Sequence, residues 1–219
     1  MAKAAHRCQL YLVSPPRIAS PLEFAEQVKA ALGAGPVACL QLRLKDASDD
    51  EIKAAVEAIL PVTHAHRVPL LLNDRPDLAA VTGCDGAHIG QEDMAYSDAR
   101  RLLGKDRIIG VTCHDSRDLA MTAAEAGADY VAFGAFFPTT AKVAKGRPQP
   151  EILRWWSEVM VVPVVAIGGI YPENLAVLVE SGADFVAVIS ACFYHPEGPG
   201  AGVRELNQAI DGVYGKLES

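Results

Sequence analysis

Asn73-Asp74-Arg75 stands at the exit of the apolar run Pro69-Leu70-Leu71-Leu72. A strand of leucines is buried on both faces, as in a parallel sheet covered by helices. An amide, a carboxylate and a guanidinium at its end add nothing to that packing. They sit where parallel α/β proteins carry their chemistry, at the carboxyl end of a strand. Gln41-Leu42-Arg43-Leu44-Lys45 repeats the theme. Alternation puts Gln41, Arg43 and Lys45 on one side of an extended chain and the leucines on the other. Arg43 and Lys45 would offer phosphate a bidentate fork and a point charge, the alternative being a solvated strand edge. Asp74, and Asp93 beyond Gly86-Ala87-His88-Ile89-Gly90, could together hold one divalent cation through oxygen ligands. Glu92 is the alternative ligand, and a helix N-cap the alternative role for Asp93.

Three further junctions are polar. In Thr112-Cys113-His114, neighbouring residues of an extended chain face opposite ways, which argues against a nucleophile and base made from Cys113 and His114. The Thr112 hydroxyl is the better ligand contact, and His114 is either a base at the rim or part of a capping turn with Asp115 and Ser116. The segment 133–147 carries Thr139, Thr140, Lys142, Lys145 and Arg147, the composition of a loop that covers ligand and excludes water, with Lys142 as a second phosphate clamp. Gly168-Gly169 and Ser190 follow two later apolar runs, where barrels build backbone-lined anion pockets. His88, inside a run, reads as a hydrogen-bonded core residue.

The elements that must position these groups are short Val/Ile/Leu-rich strands at 8–13, 37–42, 69–72, 86–89, 107–111, 130–133, 164–167 and 185–189. Amphipathic stretches at 21–32, 49–66, 116–126, 150–158, 172–181 and 201–216 lie between and after them. The spacing of roughly 20–35 residues is that of βα units. Eight such units in 219 residues predict a single-domain (β/α)8 TIM barrel spanning 1–219. Gly-Ala-Asp at 127–129 and again at 182–184 reads as a structural turn into a strand.

Half of the residues are hydrophobic, enough for a large core, and the net charge of −7 argues against non-specific binding to nucleic acid or to anionic membranes. An anionic ligand must then be held by local cations and backbone N–H groups. Five scattered cysteines without a C-x-x-C pair predict reduced, buried thiols in a cytoplasmic protein. The N-terminus shows no basic-then-apolar leader, and no apolar run is long enough to span a bilayer.

Taken in order, Gln-x-Arg-x-Lys at 41–45, Asn-Asp-Arg at 73–75, Asp-Gly-x-His-x-Gly-Gln-x-Asp at 85–93, Phe-Pro-Thr-Thr-x-Lys at 137–142 and Ile-Gly-Gly-Ile at 167–170 resemble the thiamine phosphate synthase family. The resemblance implies a (β/α)8 barrel that joins hydroxymethylpyrimidine diphosphate to a thiazole phosphate and releases pyrophosphate. It further implies that Gln41, Arg43, Lys45, Asn73, Thr112 and Lys142 hold the diphosphate substrate, that Asp74 and Asp93 hold Mg2+, and that Thr139, Gly168, Gly169, Ile189 and Ser190 bind the thiazole phosphate. Arg43, Lys45 and Lys142 would stabilise the leaving group of a dissociative reaction. The implied partners are two small molecules, with no nucleic acid and no membrane, and a homo-oligomer is compatible. Ala141 departs from the family's Thr-x-Thr-Lys and removes a hydroxyl from the thiazole side. The related thiazole tautomerase, with His114 as acid/base, and a non-catalytic thiazole phosphate binder are the alternatives.

Overall fold

A computed structural model describes residues 7–139 and 146–217. Strands β1 (Gln9–Val13), β2 (Cys39–Leu42), β3 (Leu70–Asn73), β4 (Gly86–Ile89), β5 (Ile108–His114), β6 (Tyr130–Gly134), β7 (Val164–Ile167) and β8 (Phe185–Val188) alternate with helices α1 (Pro21–Leu32), α2 (Asp49–Ala65), α3 (Pro76–Thr82), α4 (Tyr96–Leu103), α5 (Arg117–Glu125), α6 (Glu151–Val159) and α7 (Ala176–Glu180). Two helices follow β8, the short α8 (Ser190–Phe193) and the long α9 (Pro199–Leu217). The strands pair in parallel in chain order, and β8 closes on β1, so the fold is a (β/α)8 TIM barrel.

Alternation along each strand creates two cores. Leu10, Leu12, Leu40, Leu42, Leu70 and Leu72 face outward and are covered by the helices. Tyr11, Val13, Cys39, Leu71, Tyr130, Ala132, Val165 and Ala187 fill the barrel itself. Local chemistry starts the main helices. Ser20 accepts from the Glu23 N–H ahead of α1, and Ser48 and Glu51 form a capping box at α2. The Gly-Ala-Asp turns are structural: Asp129 accepts from the Ile109 N–H and Asp184 from the Val164 N–H, both at 2.7 Å, tying each strand's start to its neighbour.

The elements differ from the sequence expectation at several places. α3 and α4 complete the alternation where no helix was read, because seven- and eight-residue helices carry too few turns for a clear apolar period. β5 runs on to His114, with a register shift between Thr112 and His114. β8 stops at Val188, since Ile189 turns into α8. α7 is shorter than 172–181, because the Asn174 side chain accepts from the Tyr171 N–H at 2.9 Å in a turn that competes with helix. Among the described residues no helix is long and apolar enough to cross a membrane.

Candidate active site

The carboxyl ends of the strands surround a cavity of about 450 Å³. Gln41 and Arg43 reach it from β2, Asn73 and Asp74 from β3, Thr112 from β5, Thr139 from the segment after β6, Gly168 and Gly169 from the exit of β7, and Ile189 and Ser190 from the exit of β8. Residues more than a hundred positions apart in sequence thus share one mouth.

Arg43 is the first residue past β2. Its N–H donates to Ser14 Oγ at 2.8 Å, and Ser14 is fully buried at the exit of β1, a position to which the sequence reading assigned nothing. The guanidinium Nη1 is buried with no hydrogen-bond partner among the described residues. Burial pulls the Arg43 pKa below its ordinary value, with the nearby Asp74 carboxylate opposing. A buried donor without a partner costs free energy, so the Arg43 guanidinium, at the lining of this cavity, is suited to an anion. Asp74 adopts φ +61°, and its N–H donates to the His88 carbonyl at 2.8 Å. Aspartate tolerates this left-handed conformation better than most residues, and the backbone reverses there at the end of β3. Arg75 is turned to a structural task instead. It bonds Asp49 at 2.7 Å and Asp77 at 2.9 and 2.7 Å, joining the start of α2 to the start of α3.

Two expected residues do not line this cavity. Lys45 is exposed and lines a separate, smaller hollow with Arg17, Asp46 and Glu51. The alternation that grouped it with Gln41 and Arg43 extends only to Leu42, where β2 ends. Asp93 is exposed, and its Oδ2 accepts from the N–H of Gly90, a cavity residue, at 2.7 Å. It closes a turn after β4 rather than capping α4, whose N-cap is Ala95. Lys142 lies outside the described residues.

On the opposite wall Gly168 and Gly169 have φ +97° and +66°. A Cβ on Gly169 would collide with the Pro138 carbonyl and lie 2.9 Å from Phe137 Cβ. The Phe136 N–H donates to the Ile167 carbonyl at 3.0 Å and the Phe137 N–H to the Gly168 carbonyl at 3.1 Å, so the segment leading to Thr139 is seated on this pair. His114, at φ +55°, lines the cavity, while Ser116 rather than His114 caps α5. Cys113 is fully buried on the outer face, and burial pushes its thiol up to about 12.

Beneath the mouth runs a polar floor that the sequence reading missed. Gln41 Nε2 lies 2.8 Å from the Tyr11 hydroxyl, which lies 2.7 Å from the Tyr130 hydroxyl. Tyr130 is 2.8 Å from His88 Nδ1, and His88 Nε2 is 2.7 Å from Thr112 Oγ1. All five side chains are buried. His88 was read as a hydrogen-bonded core residue, and both its ring nitrogens are bonded here. The available signal for the tyrosines was position: Tyr11 and Tyr130 occupy inward places on β1 and β6, beside the inward apolar residues Val13 and Ala132.

For a metal, the donor set is the test. Asp74 and Asp93 follow neighbouring strands and offer oxygen only, and among the described residues no group of three or more His, Cys, Asp and Glu could hold an ion. Oxygen donors of this kind suit magnesium, which takes its remaining positions from water and ligand phosphates, rather than a closed zinc site, and of the two carboxylates it is Asp74 that lines the cavity.

The sequence matches the family model described as thiamine monophosphate synthase over residues 10–192. It is 58% identical to the thiamine-phosphate synthase of Rhodospirillum centenum over 205 residues, covering 94% of this chain and 99% of that one. It is 43% identical to the thiamine-phosphate synthase of Hyphomonas neptunium over 219 residues, covering 97% and 98% of the two chains. A solved thiamine phosphate pyrophosphorylase from Pyrococcus furiosus superposes with a TM-score of 0.81 at 32% identity, covering 94% of this chain and 97% of its own.

Proposed function

The chain belongs to the thiamine monophosphate synthase family, and on that premise we propose that its barrel mouth joins hydroxymethylpyrimidine diphosphate to a thiazole phosphate. The products are thiamine phosphate and pyrophosphate. The observation that carries the reading is that Arg43, whose buried Nη1 is unbonded among the described residues, lines one cavity with Asp74 and the glycine pair Gly168-Gly169.

In the proposed reaction the bond between the pyrimidine methylene carbon and the diphosphate oxygen breaks, its electron pair leaving with pyrophosphate. The thiazole nitrogen lone pair then forms the new C–N bond. Arg43 binds the diphosphate and opposes the charge that builds on its departing oxygen, and a preorganised charge of this kind is often the largest catalytic contribution. Lys142 is the second cation assigned to the same work, and Lys45, which lines the smaller hollow instead, would reach the diphosphate only by turning its flexible side chain toward the cavity. Asn73, Gln41 and Thr112 orient the pyrimidine. Thr139, Gly168, Gly169, Ile189 and Ser190 hold the thiazole phosphate. Val13, Ala132, Val165 and Ala187 line the cavity with hydrocarbon, which keeps water from a cationic carbon. Asp74 and Asp93 would hold magnesium, which supplies charge neutralisation to a diphosphate when bound.

Incubation of the protein with both phosphorylated substrates and magnesium, followed by mass, is expected to yield thiamine phosphate. Binding of thiazole phosphate with no product would leave only a binding protein and overturn the synthase reading.

A further inference from the structure

The five-residue floor has a property that none of its members has alone. Tyr11 and Tyr130 each carry one hydroxyl hydrogen, and a neutral His88 carries one ring hydrogen. Each sits between two links, so each gives one hydrogen bond and takes one. With one hydrogen per link, two arrangements are available. In the first, Gln41 Nε2 donates to Tyr11, Tyr11 to Tyr130, Tyr130 to His88 Nδ1, and His88 Nε2 to Thr112. Gln41 then keeps its carbonyl oxygen as an acceptor, with the second N–H of its amide beside it, and Thr112 keeps its hydroxyl hydrogen as a donor. In the second, the amide is flipped and every link runs backwards, leaving Gln41 with a donor and Thr112 with a lone pair. The thiol of Cys39 also lies against the Tyr11 hydroxyl, but sulfur is a weak acceptor and does not replace the Tyr130 link.

We propose that this buried chain couples the hydrogen-bonding polarity of Gln41 to that of Thr112, so that the cavity floor takes a heterocycle presenting one donor and one acceptor, and that Tyr130 is the positioning residue through which the two ends are joined. An amino N–H and an unprotonated ring nitrogen, as in an aminopyrimidine, complement the first arrangement. A ring that offers acceptors at both ends sets one of them against the Gln41 carbonyl oxygen in the first arrangement or against the Thr112 lone pairs in the second, and discrimination by unpaired buried groups is steep. The fold builds the chain deliberately close. The Tyr130 ring lies over Gly110 of β5, where a Cβ would collide with it, and stacks on His88 at 5.6 Å between centroids with 21° between planes. The inference rests on the reading of this cavity as a pyrimidine diphosphate site.

The test compares the native enzyme with Tyr130→Phe, Gln41→Ala and their double variant, each assayed for KM toward both substrates. Tyr130→Phe keeps the ring and its packing while removing the central hydroxyl. It is expected to raise KM for the pyrimidine diphosphate about tenfold and leave KM for thiazole phosphate within about twofold. In the Gln41→Ala background the same change is expected to move KM by less than about threefold, because the end it acted through is gone. Multiplicative effects in the double variant, equal shifts for the two substrates, or an unchanged KM in Tyr130→Phe would each overturn the coupling. Should Tyr130→Phe fail to fold, Tyr11→Phe breaks the adjoining link and takes its place in the same comparison. A native enzyme that forms no thiamine phosphate would refute the synthase reading itself, whereas a turning-over native enzyme with additive variants would refute only the coupling.

Discussion

Arg43 and Asp74, at the ends of adjacent strands, form an unequal pair: the carboxylate offsets part of the cost of burying the guanidinium, yet Nη1 remains without a partner among the described residues. A fully satisfied ion pair would leave nothing for a ligand. An isolated buried cation would be too costly to keep. The arrangement lies between the two, holding the charge while reserving a donor.

Arg43→Lys tests that division of labour. Lysine keeps the charge but loses the planar fork that meets two phosphate oxygens. Turnover is expected to fall about 10²–10³-fold, the scale of losing one preorganised donor in an electrostatic site. Steady-state rates beside a circular dichroism spectrum decide it, and a folded variant with more than a tenth of native kcat would place the leaving group elsewhere.

The two carboxylates predict an asymmetric metal dependence. Chelation by EDTA is expected to abolish turnover and added magnesium to restore it. Asp74 lines the cavity, whereas Asp93 is exposed and already bonded to the Gly90 N–H. Asp74→Asn should therefore cost about 2–4 kcal/mol in barrier, and Asp93→Asn less. Magnesium titrations of both variants check the order, and a larger loss in Asp93→Asn would reverse it.

Much of this is legible in the sequence. Leucine and valine runs marked the strands because parallel strands are buried on both faces, and polar residues at their exits marked the rim. What failed did so for identifiable reasons. Lys45 was grouped with Arg43 by carrying alternation past the end of β2. Arg75 looked like site chemistry because its partner Asp49 is 26 positions away, a contact that only folding reveals. The tyrosines of the floor were silent because a phenol on an inward strand position reads as hydrophobic filling. Its hydroxyl acquires meaning only when strands distant in sequence bring a second hydroxyl and an imidazole against it.

The cysteines give a pH prediction with a definite sign. Burial raises Cys8, Cys113 and Cys192 from 9.0 to about 12. A folded pKa above the unfolded one contributes stability that is fully present below pH 9 and is lost as the pH climbs from there toward 12. The urea midpoint is expected to hold through neutral pH and fall steeply above pH 9. At pH 8 a thiol reagent should leave all five buried cysteines unmodified in the native protein and label them after denaturation. Rapid native labelling of Cys113 would revive it as a nucleophile.

Gly169→Ala separates backbone geometry from side-chain chemistry at the proposed thiazole phosphate wall. No side chain is lost, but alanine at φ +66° costs about 1–2 kcal/mol, and its Cβ meets the Pro138 carbonyl and the Phe137 Cβ. Overpacking of this kind adds about 1–3 kcal/mol, so a Tm drop of roughly 4–20 °C is expected for a domain of this size. The cheapest relief moves the segment 135–139 off the glycine pair, and that segment carries Thr139. KM for thiazole phosphate should then rise about tenfold or more, while KM for the pyrimidine diphosphate, held from β2, β3 and β5 as well as by Lys142, rises less. Equal increases for both substrates would mean that the glycine pair supports the barrel mouth as a whole rather than one phosphate.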